Sequence, residues 1–231
     1  MKGFQVINMI KAVLIDIDDT IFDFEKCSKN AFKKTLKKLD LSYKEKDFSY
    51  FNRVNDILWT KQKLGEINIE EVFTHRSIMM SKYFELDIEK EIFNDLFVEF
   101  LYDEIEMVDE VEDLLSYLSN KYQIYAASNG VYDMQVNRIK KSNLSKYFKD
   151  IFVSDKISYE KPDKRFFKKI MDITKYSNDD LIMIGDSIKS DIIGAKNSKI
   201  KSIYFNKDGK KISDENFTYQ VKNLSEIKKI L

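Results

Sequence analysis

Apolar positions along the chain follow two regimes, short unbroken runs in some stretches and helical spacing in others. Residues 12–15 (AVLI) form a continuous apolar run too short for a buried helix and bounded by aspartates, the pattern of a buried parallel strand. Comparable runs return only much later, at 122–127 (YQIYAA), 151–153 (IFV), 181–184 (LIMI) and 201–205 (KSIYF). Helical stripes separate them: Val111, Leu114, Leu115 and Leu118 form one, and Phe166, Phe167, Ile170 and Met171 another, with Pro162 near a first helical turn. Strand and helix thus alternate from about residue 108 onward, which predicts a parallel α/β sheet.

Between about residues 25 and 106 the strand pattern is absent. Helical stripes follow one another instead: Phe51, Val54 and Leu58; then Val72, Arg76, Met79, Met80, Tyr83 and Phe84; then Ile88, Ile92, Leu96 and Phe100. The expectation is an α/β fold, a doubly wound, Rossmann-like parallel sheet, with an all-helical segment inserted after the first strand. The core spans 1–23 and 107–231, and the insertion 24–106. Residues 1–8 precede the first strand, Met9 is an alternative start, and neither is given a role.

Composition narrows the function classes. Of 231 residues, 43% are hydrophobic and 34% charged, enough apolar material for a closed core under a well-solvated surface. Lys and Arg number 39 against 39 Asp and Glu, so no global positive field collects a nucleic acid polymer or an anionic membrane. An anionic ligand has to be held locally. With a single cysteine, Cys27, neither an internal disulfide nor a cysteine-based zinc site is available, and the chain fits a reducing compartment. There is no 18-residue apolar run and no signal-peptide pattern, so a cytoplasmic location is expected, as a monomer or homodimer. Only one histidine, His75, is present, and it is read as structural, so carboxylates, lysine and hydroxyls are left to carry any chemistry.

Those groups fall just past the carboxyl ends of predicted strands, where open α/β sheets bind ligands. The first strand ends in Asp16-Ile17-Asp18-Asp19-Thr20 and the second in Ser128-Asn129-Gly130. The third is followed by Glu160-Lys161-Pro162, and the fourth ends in Gly185-Asp186-Ser187, with Asp191 beyond. Each alone is an ordinary turn or helix cap; parallel strands bring all four to one edge. Carboxylates gathered there repel one another unless a cation neutralises them. Oxygen donors without sulfur or imidazole select a hard ion, Mg²⁺. A metal beside a carboxylate, a hydroxyl and a lysine describes a phosphoryl-transfer centre, and an aspartate nucleophile is one established route through that chemistry.

The order DIDDT, SNG, KP and GDSIKSD resembles the haloacid dehalogenase superfamily of phosphotransferases in all four motifs. The resemblance implies Asp16 as nucleophile and Asp18 as general acid and base. It implies that Ser128 and the Asn129 backbone hold the phosphoryl oxygens and that Lys161 balances charge. It further implies that Asp16, Asp186 and the Asp18 carbonyl bind Mg²⁺ with support from Asp191, and that Thr20, beside the phosphate, pins the turn and orients Asp18. Asp19 stands where many relatives have glycine and is expected to be a solvated side chain. The dehalogenases themselves lack the second aspartate that Asp18 supplies here.

Asp23-Phe24 after DIDDTIF, with VNDILWTKQKLGEINIEEVFTHR over 54–76, is similar to the pyrimidine 5′-nucleotidase branch, whose helical insertion caps the core. That resemblance turns attention to Asn55, Trp59, Lys61 and Arg76 for substrate contact. Trp59 on a helical stripe also suits a core role, and Arg76 within an apolar stripe either faces a cleft or snorkels. The expected partner is a small phosphate monoester. Phosphoglycolate or sugar-phosphate phosphatases and phosphomutases share the motifs. Receiver-type phosphoacceptor modules share the acidic pocket, but they are about half this length and have no use for Asp18.

Overall fold

The computed structural model describes residues 10–87, 92–209 and 216–231. Six strands among them form one all-parallel sheet: β1 (Ala12–Ile15), β2 (Gln123–Ser128), β3 (Asp150–Val153), β4 (Leu181–Gly185), β5 (Lys201–Phe205) and β6 (Tyr219–Val221), in the order β3-β2-β1-β4-β5-β6. The chain falls into two compact units, a helical one over Glu25–Glu104 and a sheet unit made of what lies on either side.

β1 is central, and all four of its residues are buried because helices cover both faces of the sheet, which is why its sequence is apolar without alternation. Ile15 pairs with Ala126 of β2 and with Ile184 of β4, and Asp16 N–H still donates to Ile184 O at 2.9 Å. The ladder therefore fixes the first residue past the strand. The order of strands reverses at β1, with β2 and β3 to one side and β4 to β6 on the other, so the crevice at its carboxyl end is the switch point of the sheet.

The helices are α1 (Phe24–Lys38), α2 (Glu45–Lys63), α3 (Ile69–Tyr83), α4 (Ile92–Leu101), α5 (Val111–Ser119), α6 (Tyr132–Lys141), α7 (Ser154–Ile157), α8 (Lys164–Thr174) and α9 (Ile193–Asn197). In α5 the stripe Val111, Leu114, Leu115 and Leu118 is buried. In α8, Phe166, Phe167 and Ile170 pack with Leu14, Leu181 and Met183 on one sheet face. α8 begins later than Pro162 suggests: Asp163 is its N-cap, accepting from Arg165 N–H, and Pro162 lies one residue before the cap, joined to Lys161 by a cis peptide bond.

The helical unit is built around aromatic rings. Phe32 stands 5.0 Å from Phe51 and 6.1 Å from Phe93, and Phe51 stands 4.7 Å from Phe97, measured between ring centroids. The stripe expected on α4 is displaced. Ile88 lies outside the described residues, and Ile92, Leu96 and Phe100 are only half-buried, while Phe93, Phe97 and Leu101 face inward. α4 is apolar on nearly every side, so periodicity alone does not select a face, and the rings that meet Phe32 and Phe51 do. β6 escaped the sequence reading because it has three residues and buries only Val221. No helix among the described residues is long and apolar enough to cross a membrane.

Candidate active site

Three carboxylates converge past β1 and β4. Asp16 follows β1, Asp186 follows β4, and Asp191 comes from the turn Ile188–Ile192 that leads into α9; oxygen atoms of all three lie within 4.8 Å of one another. Asp191 is fully buried, and its Oδ2 accepts from Ser187 N–H at 3.0 Å. The close approach requires glycine at 185, because a Cβ there would lie 2.3 Å from Asp191 Oδ2.

Lys161 reaches this cluster from the loop before α8. Its Nζ donates to Asp16 Oδ1 at 2.6 Å, Asp191 Oδ1 at 2.7 Å and Ala127 O at 2.5 Å, and the residue is 2% exposed. Its backbone is gripped as well. Asn129 accepts from Lys161 N–H through Oδ1 and donates to Lys161 O through Nδ2, each at 2.8 Å. The Asn129 side chain thus mimics a strand partner, and the lysine is held at both ends.

Burial, then the charge of Asp191, lifts the Asp16 carboxyl to about 7 despite Lys161 beside it. Asp186 is raised well above the usual carboxylate range by burial and by Asp16. Burial would lower Lys161, but Asp16 and Asp191 outweigh it and hold the ammonium above its ordinary value. Ionised together, the three carboxylates outweigh the Lys161 ammonium that touches two of them, which would leave excess negative charge on oxygen donors. That donor set fits a hard divalent cation such as Mg²⁺.

Asp18 belongs to a different network. Arg138 Nη1 donates to its Oδ1 at 2.6 Å and Gln135 Nε2 to its Oδ2 at 2.7 Å. Gln135 Nε2 also lies 3.2 Å from Ser128 Oγ, which is buried at the end of β2. The sequence reading passed over Gln135 and Arg138. Their signal was their spacing of three on the inner face of the helix that follows Ser128.

Several expectations need correction. The Thr20 hydroxyl, expected to act on the Asp18 turn, is buried and faces Asp186 Oδ1 at 3.4 Å. Asp19 is not simply solvated. It holds the turn in the left-handed region at φ 61°, where glycine is the usual residue, and pairs with Lys207 Nζ at 2.7 Å. In the helical unit Arg76 does not snorkel. It is buried, donating from Nη1 to Asn55 Oδ1 at 3.0 Å and from Nε and Nη2 to Asn94 Oδ1, with its guanidinium 4.8 Å from the Phe97 ring centre. Trp59 is half-buried against Val54, Leu58 and Val72, and Lys61 and His75 are exposed. Cys27 is buried.

The chain is 28% identical over 223 residues to HAD-hydrolase YfnB of Bacillus subtilis, covering 96% of this chain and 95% of that one. The crystal structure of that protein bound to magnesium matches with a TM-score of 0.90 at 26% identity, over 96% and 98% of the two chains. The pyrimidine 5′-nucleotidase PynA of Streptococcus pneumoniae is 29% identical over 198 residues, covering 85% and 84%. A glyceraldehyde 3-phosphate phosphatase of Methanothermobacter thermautotrophicus is 22% identical over 212 residues, covering 87% of each. Residues 10–199, from just before β1 to just past α9, match the haloacid dehalogenase-like hydrolase family, and the chain belongs to that family.

Proposed function

We propose that the phosphatase reaction of this hydrolase runs through an aspartyl-phosphate on Asp16 and requires Mg²⁺, with pyrimidine nucleoside 5′-monophosphates as preferred substrates. The observation that carries the reading is the separation of the two aspartates. Asp16 is bound to Lys161, whereas Asp18, two residues on, has its own donors in Arg138 and Gln135. An ester oxygen needs a proton as it leaves and a halide does not, so a second carboxylate outside the lysine cluster suits a phosphate ester.

In this reading Asp16 attacks phosphorus as the ester P–O bond breaks, and the Asp18 carboxyl gives its proton to the departing oxygen. The Asp18 carboxylate then takes a proton from the water that attacks the aspartyl-phosphate, which releases phosphate and restores Asp16. Ser128 Oγ and the Asn129 N–H hold phosphoryl oxygens, and Lys161 keeps Asp16 placed and its charge balanced. Asp16, Asp186 and the Asp18 carbonyl would hold Mg²⁺, with Asp191 supporting them; when bound, the ion supplies positive charge to the phosphoryl oxygens.

The preference for pyrimidine nucleotides is supported by the similarity to PynA. Discrimination among leaving groups is assigned to the helical unit, with Trp59 as the surface for a base; Asn55 and Arg76, expected to meet its polar edge, are instead bonded to each other and to Asn94 in the interior. The similarity to the glyceraldehyde 3-phosphate phosphatase supports a second reading, a phosphatase of small sugar phosphates. The test compares kcat/KM for UMP, dTMP, AMP, phosphoglycolate, glucose 6-phosphate and glyceraldehyde 3-phosphate, in the wild type and in Trp59→Ala. A small sugar phosphate or phosphoglycolate ahead of every pyrimidine nucleotide by about tenfold, a difference of about 1.4 kcal/mol, would replace the first reading with the second.

A further inference from the structure

Arg138 is a fully buried guanidinium on α6. A charge so placed is costly unless it is paired, and Asp18, whose side chain is 31% exposed, is an acidic partner of it. The turn that carries Asp18 is fastened to this arginine at two points. Asp18 accepts from it at 2.6 Å, and Phe22, at the other end of the turn, lays its ring 4.4 Å from the guanidinium carbon. Between those points the backbone closes on itself, with Asp19 N–H to Phe22 O at 2.7 Å and Phe22 N–H to Ile17 O at 2.9 Å.

Gln135, one turn earlier on α6, completes the arrangement. Its Oε1 accepts from Arg138 Nη1 at 3.2 Å, which leaves Nε2 for Asp18 Oδ2 and Ser128 Oγ. The reverse amide orientation would set an oxygen against a carboxylate, so the amide has one usable direction. Each Asp18 oxygen therefore accepts from α6, and these two donors stand three residues apart on one helix. Gly130 belongs to the same packing, since a Cβ there would lie 2.7 Å from Gln135 Nε2.

We infer that Arg138, assisted by Gln135, is the positioning residue that holds the Asp18 carboxyl group in place for proton transfer, a task the family resemblance assigned to Thr20. The inference rests on the phosphatase reading above and adds to it a residue that acts only through Asp18. Such a residue governs the protonation of a leaving group, and its loss is felt in proportion to how much the leaving group needs a proton. A residue that merely held the fold would affect every ester alike.

The experiment measures kcat/KM, which reports the steps up to loss of the leaving group, for p-nitrophenyl phosphate and for the best alkyl phosphate among the nucleotides and sugar phosphates. The proteins are wild type, Arg138→Met, Arg138→Lys, Asp18→Asn and the double variant Asp18→Asn with Arg138→Met. Arg138→Met is expected to lower kcat/KM about 10²-fold for the alkyl ester and less than about tenfold for p-nitrophenyl phosphate, within the range general acid catalysis supplies. Arg138→Lys should recover part of the alkyl-ester rate. Adding Arg138→Met to Asp18→Asn should cause no further loss beyond about twofold, because the two act as one unit. Equal losses on both esters, or losses that multiply in the double variant, would overturn the assignment. Should Arg138→Met fail to fold by circular dichroism, Gln135→Met removes the other donor to Asp18 and decides by the same comparison of esters. A wild type inert toward every phosphate ester would overturn the phosphatase reading itself, whereas an active wild type with uniform losses would overturn only the role of Arg138.

Discussion

Replacing Lys161 with methionine removes an ammonium within hydrogen-bond distance of both Asp16 and Asp191 while keeping most of the side chain's length. Two charges 4 Å apart near a protein surface interact by about 4 kcal/mol, so the three carboxylates left behind cannot all stay ionised without a cation. Deleting one partner of a buried pair costs about 3–5 kcal/mol. The site has an outlet, because the Asp16 carboxyl already sits at about 7 and takes up a proton readily, so the loss falls near the lower end, about 3 kcal/mol. For a chain of this length that lowers Tm by about 6–12 °C in the absence of metal. Mg²⁺ should then stabilise the variant more than the wild type, since an acidic cluster without its lysine attracts a divalent cation more strongly. Turnover moves the other way and falls about 10²–10³-fold, the usual effect of removing a preorganised charge from such a site. Thermal melts with and without saturating Mg²⁺, paired with phosphate-release rates, test all three. A Lys161→Met protein with unchanged melting and rate would refute the charge-balance argument. So would a variant that Mg²⁺ stabilises less than the wild type.

Further outcomes follow from the same geometry. Asp16→Asn should abolish turnover while the fold persists by circular dichroism, and near wild-type activity would remove Asp16 as nucleophile. Gly185→Ala places a methyl group 2.3 Å from Asp191 Oδ2 and should weaken Mg²⁺ binding measured by calorimetry, with unchanged affinity counting against the role of that contact. Asn129→Ala removes both hydrogen bonds that grip the Lys161 backbone and should lower kcat more than it raises KM; a pure KM effect would place Asn129 in substrate binding alone. In the helical unit, Phe93→Ala empties a fully buried ring position and should destabilise by about 3–5 kcal/mol in denaturant titration, against which a loss below about 1 kcal/mol would be decisive.

The sheet was legible where burial on both faces left an unmistakable imprint, as in the four apolar residues of β1, and dim where it did not, as in β6, whose three residues bury one side chain. The carboxylates, lysine and hydroxyls could be nominated because parallel strands deliver whatever follows them to one edge. What a sequence does not carry is which charge meets which. Asp16 and Asp18 are two residues apart and chemically identical, yet one pairs with a lysine 145 positions away and the other with an arginine 120 positions away. The lysine is delivered by a loop gripped at Asn129, and the arginine by a helix that begins just after Ser128-Asn129-Gly130. Two carboxylates that close would otherwise compete for one cation. Giving each its own partner, from a different element, is the physical condition for the two roles proposed above, one carboxylate for attack and the other for moving a proton. That condition is set entirely by long-range pairing, which is why the motif could name both aspartates and could not show what tells them apart.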